Sequence, residues 1–128
     1  MANLRFITLA ETMQLHAKSL ALFGGSEGVR EPGLVESALA SAVNERGYGN
    51  GDEFAVAAAY AFHLSQAQAF VDGNKRTAVA ASMMFLRLNG HPFFVDDGTL
   101  YAALIAVAEK RMTKAGVADV LRRLTEKT

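Results

Sequence analysis

From Glu53 to Gln66 the chain reads as apolar almost all round a helix, with Phe54, Val56, Ala57, Tyr60, Ala61 and Leu64 among its apolar residues. A helix without a solvent face has to be surrounded, so this segment predicts the central member of a helical bundle. The flanking sequence supplies the surrounding members. Thr8, with Glu11 three residues on, forms a capping-box pattern that opens a helix running to about Phe23, where Gly24-Gly25 stops it. Leu9, Met13, Leu20 and Leu22 are expected to supply much of its apolar surface. Glu31-Pro32 opens a second helix to about Arg46, with Val35, Ala38, Leu39 and Val43 at helical spacing. Asp52 suits the cap of the central helix. A fourth helix is expected from about Asn74 to Asn89, ended by Gly90 and followed by Pro92. Two more cover about Thr99–Met112 and Val117–Thr125, and His91–Val95 reads as a short extended segment, strand or packed connector. The expected fold is an all-α bundle of about six helices.

The 128 residues suit one domain spanning 1–128, since no linker, low-complexity tract or repeat interrupts them. Thirteen basic side chains balance thirteen acidic ones, and a net charge of zero argues against a nucleic-acid binder that neutralises phosphates. There is no cysteine, hence no disulfide framework and no thiolate zinc site. The N-terminus lacks a signal peptide's apolar core, and the longest nearly apolar run, Phe54 to Leu64, is too short to span a bilayer. A cytoplasmic protein with no membrane partner is expected.

The chemistry concentrates in Phe70-Val71-Asp72-Gly73-Asn74-Lys75-Arg76-Thr77. Lys75 and Arg76 fall in the first turn of the expected fourth helix, the end where the helix dipole disfavours cations. A bound anion would compensate, held by free backbone amides and by the two side chains. Gly73 permits a tight turn and close approach of a ligand. The amides of Asn74, Lys75 and Arg76 would lack intrahelical partners. Asn74 can donate to a phosphate oxygen, Lys75 is a point charge, and Arg76 can fork onto two oxygens. Asp72 adds a carboxylate able to hold a magnesium ion that escorts nucleotide phosphates. The residues alone leave a second reading open, ordinary helix capping by Asp72 or Asn74 with two solvated cations beyond it. A Walker A loop is excluded, because no strand precedes the motif and Gly-x-x-x-x-Gly-Lys is absent.

The stretch Ala-Phe-Val-Asp-Gly-Asn-Lys-Arg-Thr-Ala resembles the signature of the Fic/Doc (Fido) superfamily, His-x-Phe-x-Asp/Asn-Gly/Ala-Asn-x-Arg. Its Asn-Lys-Arg is similar to the death-on-curing (Doc) branch. The AMP-transferring Fic branch has Asn-Gly-Arg there and commonly a second Arg at the position of Val79. The early Leu-His helix ending in Gly-Gly, the Pro-Gly-Leu-Val-Glu-Ser-Ala helix, Phe85–Gly90 and Val117–Leu124 resemble the Doc pattern as well. The resemblance implies a Doc-like toxin of a toxin–antitoxin pair. Such a toxin is a kinase that moves phosphate from ATP to a hydroxyl of elongation factor Tu and is covered by a segment of its cognate antitoxin. By position it implies Phe70 as the buried anchor of the loop, Asp72 as the magnesium ligand, and Gly73, Asn74, Lys75 and Arg76 as the phosphate site.

One position departs from the pattern: Gln68 stands where the family carries its catalytic His, two residues before Phe70. That His accepts the proton of the attacking hydroxyl, and an amide has no useful basicity near neutral pH. The expectation is a nearly inactive chain with an intact phosphate cradle. The alternatives are a non-catalytic protein that binds nucleotide or a partner, and an AMP-transferring enzyme, which Lys75 disfavours by crowding the anion site. His63 lies seven residues before Phe70 and is expected to be packed or hydrogen-bonded; His16 and His91 have no claim to catalysis. Lys110, Arg111, Lys114, Arg122, Arg123 and Lys127 read as partners of helix dipoles before they read as an acidic-partner surface. Met83, Met84, Phe85, Phe93 and Phe94 read first as core.

Overall fold

The computed structural model describes residues 3–47, 51–91 and 98–126. Among them the chain forms six helices and no strand: α1 (Leu9–Phe23), α2 (Pro32–Gly47), α3 (Glu53–Ala67), α4 (Asn74–Leu88), α5 (Thr99–Ala108) and α6 (Lys114–Glu126). The all-α expectation holds, and α3 is the hub. It packs against α2, α4, α5 and α6, and Val56 through Ala61 are all buried in it. Four of those six side chains are alanine, which lets neighbouring helices approach closely. Tyr60 is the large exception; its hydroxyl accepts the Ile7 amide at 2.9 Å, and burial pushes its ionisation up to about 12. The incoming N-terminal segment is pinned a second time by Asn89, whose carboxamide bonds both the amide and the carbonyl of Arg5.

Caps form where the sequence placed them. Thr8 and Glu11 close a reciprocal capping box on α1, and Asp52 accepts the Ala55 amide at 2.8 Å to start α3. Several details differ. The buried face of α1 is Thr12, His16 and Ser19, while Leu9 is 40% and Leu22 is 66% exposed. On α2 it is Ala42 that is buried, whereas Val43 points outward. The fifth helix ends at Ala108, four residues before the expected Met112, because Lys110 adopts the left-handed conformation (φ 62°). The Lys110 and Arg111 amides then bond back to Val107 and Ala106, a Schellman closure with a lysine in the usual glycine place. The sixth helix begins earlier than Val117 because the Thr113 hydroxyl caps the Gly116 amide. Pro92 to Val95, including Phe93 and Phe94, lies outside the described residues.

Two connectors meet beside α1 and α4. The α1–α2 loop pairs with the α3–α4 loop through an antiparallel bridge between Val29 and Phe70. Flanking bonds run from Arg30 N to Ala69 O (2.7 Å) and from Val71 N to Gly28 O (3.1 Å). This pairing fixes the α3–α4 loop, and with it the start of α4.

Candidate active site

The loop is built by satisfying its own backbone. Helix α3 ends at Gln68, held in the left-handed region (φ 53°, ψ 37°), with its Nε2 donating to Ser65 O at 3.0 Å. Phe70 follows, 1% exposed, and its ring stacks on the His16 imidazole at 3.8 Å between centroids and 13° between planes. His16 Nε2 lies 2.8 Å from the Asp72 carbonyl, which can only accept, so Nε2 carries a proton. Asn74, buried at 8% exposure, turns its carboxamide back to Phe70, accepting the Phe70 amide at 3.1 Å and donating to the Phe70 carbonyl at 3.0 Å.

These bonds bear on the capping reading of the motif. The residue that starts α4 is Gly73 (φ 84°), and no side chain caps the helix. Asp72 is occupied elsewhere, its Oδ2 accepting the Ser26 amide at 2.7 Å, and the Asn74 carboxamide is clasped to Phe70. The first α4 amide with a backbone acceptor is that of Thr77, which bonds Gly73 O at 2.9 Å. The amides of Asn74, Lys75 and Arg76 have no acceptor among the described residues. Ordinary capping therefore fails, and the helix presents free donors at its positive end.

The two cations beside these amides also have no ion-pair partner among the described residues. Elsewhere Arg5 pairs with Glu11, Arg111 with Glu109, Lys114 with Glu45, and Arg122 with Asp52 and Asp119. Neither Lys75 nor Arg76 forms an ion pair or side-chain hydrogen bond among the described residues. Arg76 instead lies over two rings, 4.0 Å from the Phe23 centroid and 4.2 Å from that of Tyr101. The whole group opens on a cleft of about 470 Å³ bordered by Gly24, Gln68, Asp72, Gly73, Lys75 and Arg76. Close approach matters at Gly25: a Cβ there would come within 3.0 Å of Asp72 Cβ, and its φ is +118°.

All the residues singled out in the motif thus meet in one place, with Phe70 behind the loop and Gln68 at its mouth. The Asn74 side chain is committed to the loop, so what that residue offers a ligand is its backbone amide. His63 and His91 lie elsewhere, beside Lys114 and Glu53 respectively. Sequence reasoning missed His16, Ser26, Phe23 and Tyr101. The signal for His16 was present: Thr12, His16 and Ser19 repeat at helical spacing, a polar stripe that a helix buries only where it has partners. Among the described residues no group of three or more acidic or histidine side chains could enclose a metal. Asp72 alone suits magnesium, which takes one or two carboxylates and completes its shell with waters and phosphate oxygens.

A second cavity of about 410 Å³ runs between α1 and α4, lined by Leu15, Leu22, Val79, Met83 and Met84. Met83 and Met84 border this groove and are only half-buried, while Phe85 is the residue of that trio in the core. Phe23, Arg76 and Tyr101 border both the groove and the cleft.

The described residues thus form a helical bundle in which an uncapped, cation-flanked helix N-terminus follows a clasped loop. Residues 6–86 match the Fic/DOC family, and the chain belongs to that family. It is 33% identical over 122 residues to protein kinase doc of Escherichia phage P1, covering 94% of this chain and 96% of that protein. No helix among the described residues is long and apolar enough to cross a membrane.

Proposed function

We propose that the chain is a Doc-like phosphotransferase of a toxin–antitoxin pair, using ATP and magnesium to phosphorylate a hydroxyl of a translation factor such as elongation factor Tu. The observation that carries this is the uncapped start of α4, with three free amides beside Lys75 and Arg76. Together they supply the donors that a polyphosphate needs. Asp72 would hold magnesium through the carboxylate oxygen that Ser26 leaves free, and the ion would neutralise phosphate charge when bound. The similarity to a protein kinase over nearly the whole chain supports phosphate as the transferred group.

In the reaction the target hydroxyl oxygen forms a bond to the γ-phosphorus as the bond from that phosphorus to the bridging oxygen breaks, and ADP leaves. The hydroxyl proton must go to a base at the mouth of the cleft. Gln68 occupies that place, and its carboxamide is neutral and donates to Ser65 O. This chain therefore holds and orients the nucleotide but transfers slowly, by about a hundred- to ten-thousandfold relative to a histidine. The groove between α1 and α4 is where a segment of the antitoxin or target would lie, with Leu22 and Phe23 as exposed apolar anchors.

The test is transfer from ATP labelled at the γ-phosphate to elongation factor Tu, for the chain as given and for Gln68→His. Transfer by the histidine form alone is the expected result. Label transferred from the α-phosphate instead would make the chain an AMP transferase. No transfer by either folded form, with ATP still bound, would leave a non-catalytic nucleotide binder.

A further inference from the structure

Arg76 sits in the first turn of α4, where the helix dipole repels it, and it forms no ion pair with a carboxylate among the described residues. A long side chain in that position gains from swinging into solvent, yet it is held over two aromatic faces, at 4.0 Å and 4.2 Å. The rings come from unrelated parts of the fold: Phe23 is the last residue of α1, and Tyr101 is in the first turn of α5. Phe23 is 59% exposed, so core packing does not explain an aromatic residue there. A ring face attracts a guanidinium without neutralising it or consuming its N–H donors, which stay available to an anion. A carboxylate in the same place would hold Arg76 as well, but would compete with a phosphate.

From this we infer that Phe23 and Tyr101 are positioning residues that hold the Arg76 guanidinium, still charged and with its donor fork unoccupied, at the rim of the phosphate cleft. The inference rests on the phosphate-binding reading above and extends it to two residues outside the motif. Without either ring Arg76 samples many rotamers, and that freedom must be given up on each binding event. The structural elements that meet at the stack are the ends of α1 and α5, so the arginine is tied to the body of the bundle and not only to its own loop.

Inorganic tripolyphosphate is the probe, because it isolates phosphate recognition from nucleoside contacts, and the full chain with Gln68 is suited to an equilibrium titration. Arg76→Ala is expected to weaken binding about ten- to a hundredfold. Phe23→Leu and Tyr101→Leu should each weaken it about two- to fivefold, while Phe23→Tyr and Tyr101→Phe keep it. The deciding comparison is a cycle: in the Arg76→Ala background, Phe23→Leu should have no further effect, which a merely structural ring would not obey. The Arg76 Nε–H resonance should also carry a ring-current shift that the leucine variants lose and the aromatic exchanges retain. Leucine variants that bind as tightly as the parent, or a Phe23→Leu loss that persists without Arg76, would overturn the positioning role while leaving phosphate binding intact. Failure of the parent itself to bind tripolyphosphate would overturn both readings.

Discussion

Asn74 joins its carboxamide to both backbone groups of Phe70, and in doing so imitates a strand partner inside a six-residue turn. The consequence is that Asn74 shapes the start of α4 while its side chain stays committed to the loop. Asn74→Ala removes both bonds and leaves the buried Phe70 amide and carbonyl without partners, at about 1–3 kcal/mol for each unsatisfied group. We therefore expect Asn74→Ala to lower stability by about 2–6 kcal/mol in urea denaturation, together with loss of phosphate binding. Lys75→Ala should instead weaken phosphate binding with stability nearly unchanged, because Lys75 has no partner among the described residues. If Asn74→Ala were as stable as the parent, the clasp would not be what holds the loop. His16 acts alongside it from α1, with its ring on Phe70 and its Nε2–H on the Asp72 carbonyl. The motif residues suggested a phosphate site because their types are those of phosphate recognition, and the structure gathers Asp72, Gly73, Asn74, Lys75 and Arg76 at one cleft. Their division of labour was not legible, since it depends on Ser26 and His16 drawing the Asp72 carboxylate and carbonyl away from the helix end. Those contacts span 46 and 56 residues of sequence.

Among the elements, α1, α2, α3 and α4 were readable because each opens on local chemistry: a capping box at Thr8, proline at Pro32, Asp52 at the hub, and Gly73 before Asn74. The misread boundaries share a different cause. Helix α5 stops at a lysine in the left-handed conformation, a place where local propensity favours glycine. Helix α1 was misread on its faces for the same kind of reason. Leu15 and Leu22 border the groove while Thr12, His16 and Ser19 are buried and His16 meets the loop, so hydrophobicity alone pointed the helix the wrong way. The Schellman closure yields its own prediction. Lys110→Gly removes a Cβ from a left-handed position and should stabilise the protein by about 0.5–1 kcal/mol, read as a higher thermal midpoint with no change in phosphate binding. A lower midpoint would mean that the entropy glycine adds to the unfolded chain outweighs the relief of strain.

At the scale of the whole molecule, charge is balanced overall, and a half-buried histidine at the junction of α2, α3 and α6 couples folding to pH. His63, half-buried on the hub helix, lies 3.4 Å from the Lys114 ammonium of α6, which in turn pairs with Glu45 of α2 at 3.2 Å. Burial, and then the neighbouring Lys114 charge, hold the His63 imidazolium below the usual histidine range, with Glu45 opposing weakly. The unfolded chain takes up this proton near the ordinary value of about 6.5, whereas the folded chain resists it. Stability contributed by neutral His63 is therefore full above that value and is lost as pH falls toward the lower folded value, with a slope of at most about 1.4 kcal/mol per pH unit. Two carboxylates act in a separate and more acidic window. Glu11 is held low chiefly by its bond to the Thr8 amide; Asp52, despite burial, is held low by the Ala55 amide and Arg122. Their contributions persist until pH falls below the ordinary carboxylate range of about 4. Urea denaturation of the parent and of His63→Gln between about pH 5 and pH 8 separates the terms, since only the histidine titrates differently between the two proteins there. The difference in unfolding free energy between parent and variant should shrink as the solution is acidified below about pH 6.5. A constant difference across that range would mean that His63 binds its proton equally well in both states, and that the junction of α2, α3 and α6 does not couple folding to pH.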